Sequence, residues 1–204
     1  MVFHDMRRDL QKEFYWIGIL LLVMWLVRIV DATIPASLVD YGLQPRRLIG
    51  LPGIVTMPFL HGGFGHLFSN TTSLGILLAL LVSSQKSPWL LVALTSLIGG
   101  SLLWLVGRDA NHVGASGLVF GLIGLLIVSG FLHRRLVPAV VAVVVGILFG
   151  GTLLWGLLPG SHPQVSWDGH LSGLIGGVVV AFWSRDSTPL ERLFRRRTDL
   201  GKKR

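Results

Sequence analysis

The stretch VGASGLVFGLIGLLIVSGFL, residues 113–132, decides the fold class of this chain. Its 20 residues include no charged side chain, and about 20 residues are what an α-helix needs to cross a hydrocarbon core of roughly 30 Å. Its apolar residues would cover all sides of a helix, unlike the one-sided stripe of a soluble surface helix. Because lipid offers no hydrogen bonds to the backbone and the alternation of a barrel strand is missing, the stretch predicts a transmembrane helix.

Five further apolar segments flank this stretch, and four of them fit the length range of about 17–25 residues for a membrane span. The first segment is short unless it continues past Arg28 to Val30, with the arginine side chain reaching the interface. A signal peptide is the poorer interpretation of that segment, since Asp31-Ala32-Thr33 is a poor cleavage site. We therefore predict an all-α membrane protein, a six-helix bundle with a long outer loop over residues 31–65. The five segments are 14–27, 66–84, 88–107, 136–158 and 167–184.

The composition agrees with a membrane protein. The chain has 204 residues, of which 51% are apolar and 14% charged, against roughly 25% charged residues in soluble domains. It has no cysteine, which excludes a disulfide scaffold and a cysteine-ligated metal site. The length predicts a single domain.

The net charge of +8 is explained by membrane orientation. With the amino terminus inside the cell, 14 of the 18 lysines and arginines fall on the inner side, and only Arg46, Arg47 and Arg108 lie in outer loops. This asymmetry is the positive-inside pattern, so we expect no nucleic-acid partner. The predicted organisation is a cytoplasmic segment over 1–13, a membrane domain over 14–184 and a basic cytoplasmic tail over 185–204.

Four polar residues lie just inside the outer ends of three apolar segments: His66, Asn70, Ser116 and His170. Polar groups within a bilayer are costly and are candidates for function. Each one alone is more simply a residue bonded to its own helix. Their shared depth on three segments favours a common site.

Glycine spacing predicts which segments meet. Glycines follow Ser116 at 117, 121 and 124, and glycines surround His170 at 169, 173 and 177. Small residues at this spacing let membrane helices pack backbone to backbone, so we expect the helices that carry Ser116 and His170 to be neighbours. Gly114 and Gly117 beside the serine would also allow close approach of a neighbour or a substrate backbone.

Other hydrolytic chemistries do not fit the sequence. His61-Gly-Gly-Phe-Gly-His66 lacks the H-E-x-x-H pattern of a zinc protease. Asp168 is the only acid in a membrane segment, so a carboxylate pair is missing, and its i,i+2 spacing from His170 turns the two side chains apart. We predict neither a metal nor a cofactor.

Three motifs resemble those of the rhomboid intramembrane serine proteases, in the same order along the chain: His61-x4-His66-x3-Asn70, Gly114-Ala115-Ser116-Gly117 and Gly169-His170-Leu171-Ser172-Gly173. The resemblance implies a dyad of a Ser116 nucleophile and a His170 general base. It implies that His66 and Asn70, with the Ser116 backbone N–H, donate hydrogen bonds to the oxyanion.

The resemblance also implies supporting positions. Phe120 stands where the family often has an aromatic ring under the catalytic histidine, and His61 where it often has a further histidine. Gly114, Gly117 and Gly173 belong to the same motifs. One departure is the missing Trp-Arg pair that braces the first loop in many members, which leaves the anchoring of that loop open.

The expected function is intramembrane endopeptidase, with transmembrane proteins as substrates and the bilayer as its surroundings. The expected location is a bacterial plasma membrane, with both termini cytoplasmic. A non-catalytic relative that binds or escorts membrane proteins is the alternative, and a small transporter or channel is the third. The sequence predicts no oligomeric state.

Overall fold

The computed structural model describes residues 2–133, 135–159 and 165–185, and these residues are almost entirely helical. Within those ranges the chain forms seven α-helices and three short 3₁₀ turns, and its only strand pairing is a single bridge between Leu43 and His112. The helices are α1 (Val2–Thr33), α2 (Gly53–Thr56), α3 (Phe64–Ser84), α4 (Pro88–Val106), α5 (Ser116–Leu132), α6 (Leu136–Gly156) and α7 (Trp167–Arg185).

Six of these helices correspond to the six predicted segments, and α2 is a single extra turn of four residues. The ends of α3 to α7 lie within a few residues of the predicted ends. The first helix is much longer than the predicted segment 14–27, since α1 begins at Val2. Seven of the twelve added residues, 2–13, are aspartate, arginine, lysine, glutamine or glutamate, of which all but aspartate form helices well. The basic tail predicted over 185–204 lies, apart from Arg185, outside the described residues.

Four helical stretches are long and apolar enough to cross a membrane: Leu10–Thr33, α3, α4 and α6. Their outward faces carry large exposed apolar side chains, such as Ile147 at 77% and Leu154 at 70% exposure on α6. Side chains of this kind are suited to lipid. The shorter α5 differs, because most of its residues are buried by other helices.

The central pair of the bundle is α5 and α7, and glycines bring their backbones into contact. A Cβ atom at Gly173 would overlap the Gly117 carbonyl oxygen, and one at Gly177 would overlap the Gly121 carbonyl oxygen. In the other direction, a Cβ at Gly121 would lie 3.0 Å from the Gly173 oxygen. This packing confirms the neighbouring helices predicted from glycine spacing.

The connection from α1 to α3 is held by the carboxyl-terminal end of α4. The Arg46 guanidinium donates to the Gly107 carbonyl at 2.6 Å, and its backbone N–H donates to the Trp104 carbonyl at 2.9 Å. The Trp104 indole N–H donates in turn to the Arg47 carbonyl at 3.0 Å. A tryptophan and arginines therefore do brace this connection, but the tryptophan comes from α4, where inspection of the loop alone could not find it.

Candidate active site

Ser116 and His170 stand at the adjoining ends of α5 and α7. Ser116 is the first residue of α5 and His170 is in the first turn of α7. A Cβ at Gly117 would lie 3.3 Å from the Gly169 carbonyl oxygen. Phe120, one turn beyond Ser116, stacks on the His170 ring with a centroid distance of 4.1 Å and an interplanar angle of 4°. The glycine packing therefore brings the serine and the histidine to the same part of the bundle.

In this structure, no hydrogen bond joins the Ser116 hydroxyl to the His170 ring, both of which are described. In enzymes without substrate such bonds are often long and tighten only in the complex. The two side chains differ in exposure, since His170 is 8% exposed and Ser116 is half-buried.

The His170 ring is oriented by a backbone carbonyl. Its Nδ1 lies 2.8 Å from the Gly156 oxygen near the end of α6. A carbonyl oxygen can only accept, so Nδ1 carries the proton and Nε2 of the neutral ring holds a lone pair. The position of Gly156 requires glycine, because a Cβ there would overlap the Phe120 ring. The backbone thus provides the orientation that a carboxylate provides in a triad.

His66 and Asn70 converge on the backbone just before Ser116. A Cβ at Gly114 would lie 2.7 Å from His66 Nε2 and 3.4 Å from Asn70 Nδ2. Gly114 also has φ of +106°, a conformation that side chains disfavour. Both facts require glycine there. The Asn70 amide nitrogen is buried without an acceptor among the described residues, so it is a donor available to a ligand.

His61 is buried and packs beside His66. It is 1% exposed, and its Nδ1–H donates to the Phe59 carbonyl at 3.3 Å. Its ring lies 5.1 Å from the His66 ring in an edge-to-face arrangement. Burial, with a smaller effect from His66, lowers the pKa of His61 to about 4. His61 is therefore neutral at physiological pH and acts by packing and hydrogen bonding.

The sequence does not single out His112, because this histidine lies outside the apolar segments. His112 is only 4% exposed, and its Nδ1 lies 2.7 Å from the Ser166 hydroxyl. Asp168, as expected from its spacing, makes no direct hydrogen bond to His170 among the described residues, and its carboxylate accepts from the Arg108 backbone N–H. The signal in the sequence is Ser166, a preferred amino-terminal cap residue directly before the apolar segment that begins at Trp167.

Replacing Phe120 by leucine should slow any reaction that uses His170, because the stacked ring limits the orientation of the imidazole. Aromatic pairs contribute about 0.5–1.5 kcal/mol beyond burial, so we expect a loss of about 2- to 10-fold in turnover. Phe131→Leu is the control, since Phe131 lies on the same helix and is 78% exposed. Equal activity of the two variants would show that the Phe120 ring does not contribute to the reaction.

Comparison with known proteins identifies the family. Residues 50–186 match the family model of the Rhomboid domain. The chain belongs to the rhomboid family. The match covers α2 to α7 and, together with the apolar helices, makes this rhomboid an integral membrane protein of a hydrolase family.

Relatives come from several branches. An uncharacterized protein of Mycobacterium tuberculosis is 36% identical over 170 residues, which is 78% of this chain and 70% of the relative. The rhomboid protease GluP of Bacillus subtilis is 27% identical over 181 residues, 82% of this chain and 34% of the relative. The chloroplastic rhomboid-like protein 11 of Arabidopsis thaliana is 31% identical over 149 residues, 63% of this chain and 50% of the relative.

Proposed function

We propose that this rhomboid is an intramembrane serine endopeptidase that hydrolyses peptide bonds in the transmembrane segments of other membrane proteins. The observation that carries the proposal is the His170 ring. It is oriented by the Gly156 carbonyl, it stacks on Phe120 one turn from Ser116, and its Nε2 lone pair is available as a base.

The reaction would begin with transfer of the Ser116 hydroxyl proton to His170 Nε2. The serine oxygen would attack the substrate carbonyl carbon, and His170 would then donate the proton to the leaving amine. In the second half of the reaction, water would lose a proton to His170 Nε2 and attack the acyl carbonyl carbon. His170 would then return the proton to the Ser116 oxygen as the bond to the acyl group breaks. The Nδ1–H bond to Gly156 would stabilise the ring in each step, since it persists whether Nε2 is protonated or not.

The oxyanion would be held by His66, Asn70 and the backbone N–H of Ser116. The side-chain ends of His66 and Asn70 meet at Gly114, two residues from the nucleophile. The buried Asn70 Nδ2 has no acceptor among the described residues, which supports its role as a donor to developing charge. The N–H groups at the start of α5 have no intrahelical acceptor and add positive potential.

The proposed topology has six crossings by α1 and α3 to α7, with both termini in the cytoplasm. It places residues 34–63 and the starts of α3, α5 and α7 at the outer face. The positive-inside pattern of the sequence supports it. Residues 1–13 and the basic tail would be cytoplasmic, and the membrane would be the bacterial plasma membrane. Substrate would enter from the bilayer, and water from outside.

A serine-directed fluorophosphonate tests the proposal on the purified chain in detergent. We expect one adduct, identified by mass spectrometry on the peptide that contains Ser116, and cleavage of a single-pass membrane protein in liposomes. Because no Ser116–His170 bond is formed in this structure, a non-catalytic relative that binds membrane proteins is the second candidate. Absence of both labelling and cleavage would favour that candidate.

Asn70→Ala should reduce cleavage by about 10²–10³-fold, the usual cost of one oxyanion donor. His66→Ala is expected to fall in the same range if its N–H also reaches the oxyanion. Thr72→Ala is the matched control, because Thr72 is exposed on α3 and bonds only to the carbonyl of its own helix at Phe68. Initial rates of substrate cleavage in liposomes measure the effect. Parent-like rates for Asn70→Ala would exclude that side chain from the oxyanion site.

A further inference from the structure

We propose that Asp168 is a positioning residue that fixes the first turn of α7, and with it His170, to the segment that leads into Ser116. The inference rests on the proposed function and adds to it a group of residues outside the three family motifs. We call this group the outer latch and define it as Arg108, His112, Ser166 and Asp168.

Asp168 joins the two chain segments directly. One carboxylate oxygen accepts the Arg108 backbone N–H at 2.8 Å, and the other accepts from the Arg108 guanidinium at 3.1 Å. Asp168 is 7% exposed, so water competes little for these charge-assisted bonds. The guanidinium also donates to the Val165 carbonyl at 3.3 Å and lies over the Trp167 ring at 5.6 Å. Residues on both sides of the α7 start are thus tied to Arg108.

A second connection runs through Ser166 and His112. The Ser166 hydroxyl caps α7 by accepting the Gly169 backbone N–H at 3.1 Å, and it lies 2.7 Å from His112 Nδ1. His112 Nε2 lies 3.3 Å from the Arg108 carbonyl and 3.8 Å from Asp168. Burial lowers the pKa of His112, against the raising effect of Asp168. The Ser166 hydroxyl donates its proton to an Asp168 carboxylate oxygen at 3.1 Å, so the Ser166 oxygen accepts from His112 Nδ1–H.

The segment before α5 is itself fixed, so the latch has a firm base. Leu43 and His112 exchange two backbone hydrogen bonds, each of 2.9 Å. The Gly114 backbone N–H donates to the Met57 carbonyl at 3.0 Å. The first loop therefore holds the segment on one side, and the outer latch joins its other side to α7.

The latch acts where the glycine packing of α5 and α7 ends. The backbone contacts of these helices begin at Gly117 and Gly169, in the same terminal turns that carry Ser116 and His170. Terminal turns fray unless they are capped. Without Asp168, the first turn of α7 would keep its Ser166 cap and the His170 bond to the Gly156 carbonyl, but it would lose both bonds to Arg108. A displacement of about 1 Å at a reacting group can cost on the order of 10²-fold in rate.

The test is the rate constant for fluorophosphonate labelling of Ser116 in the full chain, measured separately from the final extent of labelling. Asp168→Ala should label about 10- to 100-fold more slowly yet reach the same extent. Asp168→Asn keeps an oxygen that can accept the Arg108 backbone N–H, so its loss should be smaller. Asp109→Asn is the matched control, since its ion pair with Arg47 is exposed on the same segment and should leave the rate unchanged.

Two outcomes would overturn the latch. One is an Asp168→Ala rate within twofold of the parent, and the other is a reduced extent with an unchanged rate, which is the mark of a purely structural role. If Asp168→Ala does not fold, the Asp168→Asn rate decides, and a parent-like value rejects the proposal. A parent protein that does not label at Ser116 overturns the proposed function itself, whereas a labelled parent with an unchanged Asp168→Ala rate overturns the latch alone.

Discussion

Replacing Ser116 by alanine is expected to abolish phosphonate labelling and to reduce substrate cleavage by at least about 10⁴-fold. The reason is that the hydroxyl is the group that forms the covalent intermediate. His170→Ala should cause a loss of the same order, because nucleophile and base act as a unit and their effects are not additive.

Ser69→Ala is the control for this experiment, since Ser69 is an exposed serine near the amino-terminal end of α3. It should keep the parent rate. Measurements are cleavage of a single-pass protein in liposomes and the mass of the labelled peptide. A phosphonate adduct at any other residue, or cleavage by Ser116→Ala at the parent rate, would show that the dyad is assigned to the wrong serine.

Replacing Gly173 by alanine should destabilise the bundle, although alanine is the better helix former by roughly 1 kcal/mol. The added methyl group would overlap the Gly117 carbonyl oxygen, so α5 and α7 must separate or shift. Overpacking of this kind typically costs about 1–3 kcal/mol. Since the same contact sets the distance between Ser116 and His170, we expect activity to fall with the thermal midpoint.

Gly18→Ala gives the opposite expectation with the same chemical change. A Cβ at Gly18 on α1 meets no atom within 4 Å, so the helix propensity of alanine should leave the midpoint unchanged or raise it. Thermal unfolding in detergent, followed by loss of labelling, compares the two variants. If Gly173→Ala were as stable as Gly18→Ala, the close contact of α5 and α7 would be contradicted.

The parts of the fold that depend on composition could be predicted from the sequence. The ends of α3 to α7 follow from apolar runs, and the contact between α5 and α7 follows from glycine spacing, because close backbone packing leaves no room for side chains. The start of α1 could not be found in this way. Its first turns are polar, and hydropathy marks the part of a helix that can lie in lipid and not its full length.

Predicting the site had a similar limit. Ser116, His170, His66 and Asn70 were marked by being polar in apolar segments. The Gly156 carbonyl that orients His170 gives no such mark, since every residue has a carbonyl and only the fold selects one. Arg108 and Asp168 are 60 positions apart in the chain, and a charged residue at a helix start is usually solvated. Their pairing depends on a contact that local patterns do not encode.

The burial of α5 has a consequence for how the protein fits its bilayer. At 1.5 Å per residue, its 17 residues extend about 26 Å, less than a hydrocarbon core of about 30 Å. The difference between the length of α5 and the thickness of the hydrocarbon core is not exposed to lipid, because most of α5 contacts the surrounding helices. Ser116 at its first residue therefore has a depth set by the scaffold, while the acyl chains meet the longer outer helices. In the proposed reaction, bilayer thickness would then determine how far below the lipid boundary a substrate must reach to contact Ser116.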